Sequence, residues 1–507
     1  MKKNIRSFGL MESGKSISAR RWETGTSATQ YFAFVHPYMK RAILLLLFFV
    51  FCCHFCASAQ NAEEANPDLR LDAEYFPPQD PLVKAKLERW RDLKFGMIIH
   101  WGIYSVPGIV ESWSICSEDV DWIPRDSTFD YNEYKKWYWE LSEHFNPTQF
   151  DPNQWADVAR NAGMKYVVFT TKHHDGFALF DTKYSDYSIA KGPFKNNPKA
   201  DVARYVFDAF RSRNMMVGAY FSKPDWHSQD YWWSHFATPD RHVNYNIANH
   251  PQRWSDFKQF VYNQIDEVTR NYGSIDILWL DGGWVRAPKE DIGMDAIAAM
   301  ARRNQPGLLI VDRTVTGKYE NYRTPEKMVP EKQLGYPWET CVPLSKDWGY
   351  VPYATFKPAS QIINMLVEVV AKGGSLLLGV GPTPEGLIEP PVVERLYEIG
   401  RWLEKNGEAI YNTRPLPHYN DGNVWFTAKK DGKTTYAIVT ADASNPLPAT
   451  LTWHGNLPEK GSMMYILDGS KTIPLKYVVK VNDGQVTVTL PKKIAGSAQT
   501  IAIRFTR

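Results

Sequence analysis

The chain reads as an α/β protein, a (β/α)-barrel catalytic domain followed by a C-terminal β-sandwich. Three observations predict this. Short apolar runs alternate with helical periods over roughly 330 residues, the pattern of a parallel sheet with crossover helices. The polar residues of chemical interest each follow such a run, where a (β/α)-barrel keeps its site. Beyond about residue 411 helical signals stop, and β-rich runs separated by Asp-Gly and similar turns take over.

A length of 507 residues suits one large domain and a smaller one. The first 59 residues are set apart. Met39-Lys40-Arg41 is a basic start, residues 42–51 an apolar run, and Ala57-Ser58-Ala59 a small-residue cleavage site before Gln60. This is a secretory signal peptide behind an extension that makes Met39 an alternative start, and its apolar run is short for a membrane span. A lipid anchor is disfavoured, because Cys52, Cys53 and Cys56 lack a lipoprotein-type approach sequence. The organisation expected is therefore 1–59 extension and signal peptide, 60–411 barrel and 412–507 sandwich, in an exported protein. Removing the leader takes 8 of 59 basic and 2 of 56 acidic residues, leaving 51 against 54, a charge of −3. The basic balance thus belongs to the leader, and nothing suggests a nucleic-acid partner. Cys116 and Cys341 remain, and spacing alone does not say whether they meet.

In order, residues 81–92 read as an amphipathic helix. Residues 94–99 form a strand ending in His100-Trp101-Gly102, and its loop carries Glu111-Ser112-Trp113. Helical stretches at 131–144 and 153–162 precede the strand 165–170, which ends in Thr171-Lys172-His173-His174-Asp175-Gly176. Neighbouring residues of a strand face opposite ways, so both histidines enter one site only where the strand is ending. A helix at 200–213 leads to the strand 216–222 with Tyr220, and a helix at 252–272 leads to 275–280, which ends on Asp281-Gly282-Gly283. Helix 294–304 and strand 307–311 end at Asp312-Arg313. A polar loop follows with Thr324-Pro325-Glu326, Pro337-Trp338-Glu339 and Asp347-Trp348. Helix 360–372, strand 375–380 and helix 392–406 complete the unit. In the last part, 424–427, 435–440, 464–467 and 485–490 read as strands.

Asp281 is the focus. A carboxylate ending a buried strand between Trp279 and Trp284 needs partners or a reaction, although an Asp there also suits a turn cap. The 19 Trp and 27 Tyr suit sugar faces as well as cores. The His173-His174 pair admits a metal-assisted hydrolase as an alternative, but no His-x-His or His-Glu-x-x-His spacing supplies further ligands, so no metal or other cofactor is expected. A non-catalytic sugar-binding protein is a third reading.

Taken together, Phe95-Gly-Met-Ile-Ile-His-Trp-Gly, Tyr104-Ser-Val-Pro, Thr171-Lys-His-His-Asp-Gly-Phe, Leu278-Trp-Leu-Asp-Gly and Leu376-Leu-Leu-Gly-Val-Gly-Pro resemble the family 29 glycoside hydrolases, the retaining α-L-fucosidases. The resemblance implies hydrolysis of terminal α-L-fucosyl residues from glycans through a covalent intermediate. It implies Asp281 as nucleophile and His100, His173, His174, Tyr220 and Arg313 as fucose contacts. Trp113 and Trp348 take the place of aromatic contacts, with Glu111 a hydroxyl partner. Two departures stand out: Ser112 separates Glu111 from Trp113 where the family often writes Glu-Trp, and Gly379 replaces a common Asn. The acid/base is left between Glu326 and Glu339. Trp338 beside Glu339 favours the latter, because an apolar neighbour raises a carboxyl pKa, whereas Arg323 and Lys327 flank Glu326.

Overall fold

The computed structural model describes residues 70–118 and 130–507; the expected leader lies outside them. The described residues belong to one contact unit. Seven parallel strands form the first sheet: β1 (Phe95–Ile99), β2 (Tyr166–Lys172), β3 (Met216–Ser222), β4 (Ile277–Asp281), β5 (Leu309–Asp312), β6 (Glu339–Pro343) and β7 (Ser375–Val380). Their spatial order is β5-β4-β3-β2-β1-β7-β6. Nearly every residue in them is buried on both faces, so the strands read as continuous apolar runs.

Alternation divides the side chains between two layers. Phe95, Met97, Ile99, Val167 and Phe169 pack outward against the helices, whereas Ile98, Tyr166, Val168, Met216, Ile277, Trp279 and Leu309 pack inside the barrel. Helix α1 (Pro81–Leu93) sends Val83, Leu87 and Trp90 into that inner cluster. Its start is sharp because Pro81 opens it and the Asp80 side chain accepts the Leu82 N–H at 2.8 Å.

The edges β5 and β6 are joined by an irregular stretch rather than a strand ladder. Asn321 N–H donates to Ile310 O at 3.0 Å on one side, and Arg323 N–H to Pro337 O at 3.1 Å on the other. Cys341 N–H then donates to Pro325 O at 3.3 Å, and Lys327 N–H to Cys341 O at 2.9 Å. Glu326 rides on this closing segment. The sequence reading left 337–341 in a polar loop; its Glu-Thr-Cys start hides the strand β6, whose burial comes from lining the barrel.

Crossover helices include α2 (Tyr131–Glu140), α3 (Pro152–Asn161), α4 (Val202–Arg211), α5 (Pro251–Asn271), α6 (Met294–Asn304), α7 (Ala359–Ala371) and α8 (Pro390–Asn406). Two buried ion pairs stand just behind the strand ends: Lys172–Asp225 at 3.0 Å and Lys223–Asp312 at 2.5 Å.

The C-terminal strands β8 (Thr413–Asp421), β9 (Val424–Lys429), β10 (Thr434–Val439), β11 (Thr450–His454), β12 (Met464–Asp468), β13 (Lys471–Lys480), β14 (Gln485–Thr489) and β15 (Ile501–Thr506) form an antiparallel sheet ordered β11-β14-β13-β12-β15-β10-β9-β8. Residues 471–475 of β13 pair with β12 and 476–480 with β14, so this strand changes partner along its length. Both halves contribute to one core, with Trp453 and Val488 meeting Phe426 and Phe505. Four of these strands, β8, β11, β13 and β15, were not read from the sequence. Pro415 and Pro417 disguise β8, which tolerates them at the sheet edge, and Pro474 interrupts the pattern of β13. Trp402 of α8 donates its indole N–H to Thr500 O at 2.7 Å, tying this sheet to the barrel helices.

Candidate active site

The C-terminal ends of β1 to β5 converge. Asp281 is the last residue of β4, and Gly282 follows at φ +82°, turning its N–H back to Asp281 Oδ1 at 2.9 Å. Arg313, just past β5, donates from Nη1 to the same oxygen at 2.9 Å, and the Tyr220 hydroxyl donates to Oδ2 at 2.7 Å. Burial pushes the Asp281 pKa up, but the Arg313 charge and these donors outweigh it and hold the carboxyl well below its ordinary value. Asp281 is therefore an ionised carboxylate with its charge ready to share.

Arg313 has a second partner. Its Nη2 donates to Glu326 Oε2 at 2.7 Å, and the Trp348 indole donates to Glu326 Oε1 at 3.2 Å. One guanidinium thus spans two carboxyl groups. Their side chains are 18% and 20% exposed, against 5% for the arginine.

Glu339 is elsewhere. It is the first residue of β6, at the opposite end of the barrel from Asp281, and is completely buried. It accepts from the Tyr166 hydroxyl at 2.6 Å and from the Trp279 indole at 3.1 Å, inside the barrel core. Burial pushes its pKa up to about 7, and these donors only partly oppose that. The raised pKa expected for it is there, but from enclosure rather than from Trp338, which packs in the outer layer. Glu339, preferred from the sequence, thus lies sealed in the core, away from the end of the barrel that holds Asp281.

The histidines line the other side. Strand β2 ends at Lys172, and the His173 and His174 rings lie 4.4 Å apart, with His100 5.7 Å from His173. His173 Nδ1 is 2.5 Å from Ser112 Oγ, and His174 Nδ1 is 2.9 Å from Ser222 Oγ. Burial lowers all three pKa values, His173 to about 4 and the other two well below their ordinary value, which favours neutral imidazoles at pH 7. The inserted Ser112 is thereby explained: it backs His173. Neither serine stood out as functional in the sequence, since a hydroxyl behind a ring has no spacing signature.

Glu111 does not face a hydroxyl site with the oxygen that is bonded. Its Oε1 accepts the N–H groups of Trp348 at 2.8 Å and Gly349 at 2.9 Å, fastening the loop that carries the indole. Burial raises its pKa to about 7. The second departure also acts on Trp348. A Cβ at Gly379 would lie 2.8 Å from the Trp348 ring, so the glycine makes room for it. The ring then stands 5.0 Å from His100. Trp113 lies 5.3 Å from His174, beside Trp226 and Trp284, and Arg241 stacks on Trp113 and Trp284 at 4.8 and 5.2 Å. Among the described residues no three His, Cys, Asp or Glu side chains are grouped to hold a metal. Cys116 and Cys341 are buried free thiols.

Residues 62–408 match the family profile described as alpha-L-fucosidase. The human tissue alpha-L-fucosidase is 30% identical over 416 residues, covering 78% of this chain and 83% of its own. The human plasma alpha-L-fucosidase is 31% identical over 382 residues, covering 72% and 78%. Among solved structures, alpha-L-fucosidase isoenzyme 1 from Paenibacillus thiaminolyticus superposes with a TM-score of 0.70 at 28% identity, covering 84% of this chain and 99% of that one. The Thermotoga maritima alpha-fucosidase, in complex with a mechanism-based inhibitor, gives 0.66 at 27% identity, covering 86% and 100%.

Proposed function

The chain belongs to the α-L-fucosidase family of glycoside hydrolases, and from that premise we propose that it removes terminal α-L-fucosyl residues from glycans with retention, using Asp281 as nucleophile and Glu326 as acid/base. The observation that carries this reading is the shared guanidinium: Arg313 reaches Asp281 at 2.9 Å and Glu326 at 2.7 Å. Retaining glycosidases keep their two carboxyls about 5–5.5 Å apart, and two carboxylates on one small planar cation suit that spacing.

In the first step Asp281 attacks the anomeric carbon and the glycosidic bond breaks, while Glu326 gives its proton to the leaving oxygen. In the second, water attacks the same carbon, its proton passes to Glu326, and the ester bond breaks to restore the Asp281 carboxylate. Arg313 is suited to steadying charge on both carboxyls as it moves between them. His100, His173, His174 and Tyr220 are the proposed hydroxyl contacts. The Trp348 and Trp113 faces are suited to the apolar side of the sugar, including its methyl group.

Azide separates the two roles. Asp281→Gly should lose nearly all activity and form β-fucosyl azide when azide is added. Glu326→Ala should cleave nitrophenyl fucosides far better than natural glycans and form the α-azide. If Glu339→Ala shows the second pattern and Glu326→Ala does not, the assignment of the acid is wrong.

Two further readings concern the whole chain. We propose export after cleavage near Gln60, supported by the leader pattern; among the described residues no helix is long and apolar enough to cross a membrane. An intact peptide spanning 45–59 on the mature protein would refute it. We also propose Asn412 as the start of the C-terminal domain, one residue before β8; limited proteolysis releasing no fragment near that position would count against it.

A further inference from the structure

A chain of hydrogen bonds leads away from Asp281 through the two residues of β3 that face the site. The Tyr220 hydroxyl donates to Asp281 Oδ2 at 2.7 Å, Ser222 Oγ lies 3.3 Å from the Tyr220 oxygen, and His174 Nδ1 lies 2.9 Å from Ser222 Oγ. Tyr220 and Ser222 are fully buried and His174 is 1% exposed. Each hydroxyl has a single proton to give, so the direction of one bond sets the next.

Asp281 is ionised and can only accept, so the Tyr220 proton points at it. The Tyr220 oxygen is then an acceptor, and Ser222 spends its proton there. With that proton committed, Ser222 Oγ can only accept from His174. The reverse polarity would set two oxygen lone pairs against each other at 3.3 Å and forfeit one bond of the chain.

We infer that this relay fixes His174 as the Nδ1–H tautomer, so that its Nε2 meets the substrate as an acceptor and Ser222 is a positioning residue. Nε2 lies 3.9 Å from Asp281 Oδ2. A sugar hydroxyl lodged between them is offered two acceptors from that side and binds by giving its proton. His173 differs: among the described residues, Ser112 Oγ has no second hydroxyl in hydrogen-bond contact, so no relay from Asp281 sets its polarity.

The inference rests on Asp281 being ionised, as the proposed nucleophile must be, but its test needs no turnover. The free enzyme, labelled with ¹⁵N-histidine, is examined at pH 7 by long-range proton–nitrogen correlation, and His174 is assigned by the signal lost in His174→Gln. The expected result is a protonated Nδ1 and an unprotonated Nε2. Tyr220→Phe removes the acceptor that commits the Ser222 proton, and the His174 signal should move toward the other tautomer while His173 stays put. A protonated Nε2 in the wild type, or a His174 signal indifferent to Tyr220→Phe, overturns the relay. Ser222→Ala should lower kcat/KM by about ten- to a hundred-fold with the unfolding temperature held, and Ser222→Thr should restore most of it. Undiminished turnover in Asp281→Gly, with the wild-type tautomer as expected, would overturn the proposed function and leave the relay standing.

Discussion

Replacing Glu339 by Gln should make the protein more stable at alkaline pH and leave its activity in place. Burial moves this carboxyl from 4.5 to about 7, partly opposed by the Tyr166 and Trp279 donors. A carboxyl whose folded pKa is raised favours folding most below its unfolded value, and that advantage is lost as pH rises through the folded one. The shift is 7 − 4.5 = 2.5, which at 1.36 kcal/mol for each is roughly 3 kcal/mol over the window. Glutamine does not titrate. Its carbonyl can accept from Trp279 and its amide can donate to the Tyr166 oxygen once that hydroxyl rotates, so both contacts of Glu339 are kept. Chemical unfolding of wild type and variant, followed from about pH 4.5 to about pH 8, should show the difference moving by roughly 3 kcal/mol in favour of the variant. Nitrophenyl and natural fucosides should be cleaved by both alike. A pH-independent difference would refute the burial argument. Selective loss of the natural substrates would return Glu339 to the mechanism.

Arg313→Lys keeps a charge but cannot hold two carboxylates as a fork. It should cost about a hundred-fold or more in kcat/KM and shift the acid limb of the pH profile upward, because Asp281 loses the close Arg313 hydrogen bond that helps to offset its burial. An unmoved limb would mean that Arg313 does not keep Asp281 ionised. Lys223→Met leaves Asp312 buried without its cation, and should lower stability by roughly 3–5 kcal/mol, measured by chemical unfolding; Lys223→Met with Asp312→Leu should recover most of it. Glu111→Ala releases the Trp348 loop and should raise KM by about ten-fold with kcat less affected, whereas Glu111→Gln, which keeps a carbonyl for those N–H groups, should stay near wild type.

What could be read from the residues follows from how each feature is encoded. Asp281 was visible because a strand, a carboxylate and a glycine turn are contiguous, and the barrel then brings such strand ends together. The same contiguity identifies His100, His173 and His174. Glu326 and Glu339 were harder, because they sit where the regular alternation lapses. Glu339 looks like a loop residue beside a Trp, yet it begins a strand that nothing in the local pattern announces. Whether a strand's first residue faces the mouth or the floor depends on register against β7, a long-range property. Glu111 has a contact that the sequence did not announce: its Oε1 serves Trp348 and Gly349, more than two hundred positions away. Ser112 and Gly379 appeared as irregularities and proved to be fittings, one behind a histidine and one beneath an indole.

The irregular segment that closes the barrel has a consequence for how this chemistry diversifies. Asp281 is welded into the regular sheet, where a one-residue insertion would throw every neighbour onto the wrong face. Glu326 belongs to a stretch held by scattered hydrogen bonds to β5 and β6, and such a stretch can lengthen or slip without unmaking a ladder. Natural variation is then free to relocate the proposed proton donor while the proposed attacking group stays put. Alignments of distant relatives should agree on the aspartate and drift at the glutamate, and the drift would record tinkering with the leaving group rather than loss of the reaction.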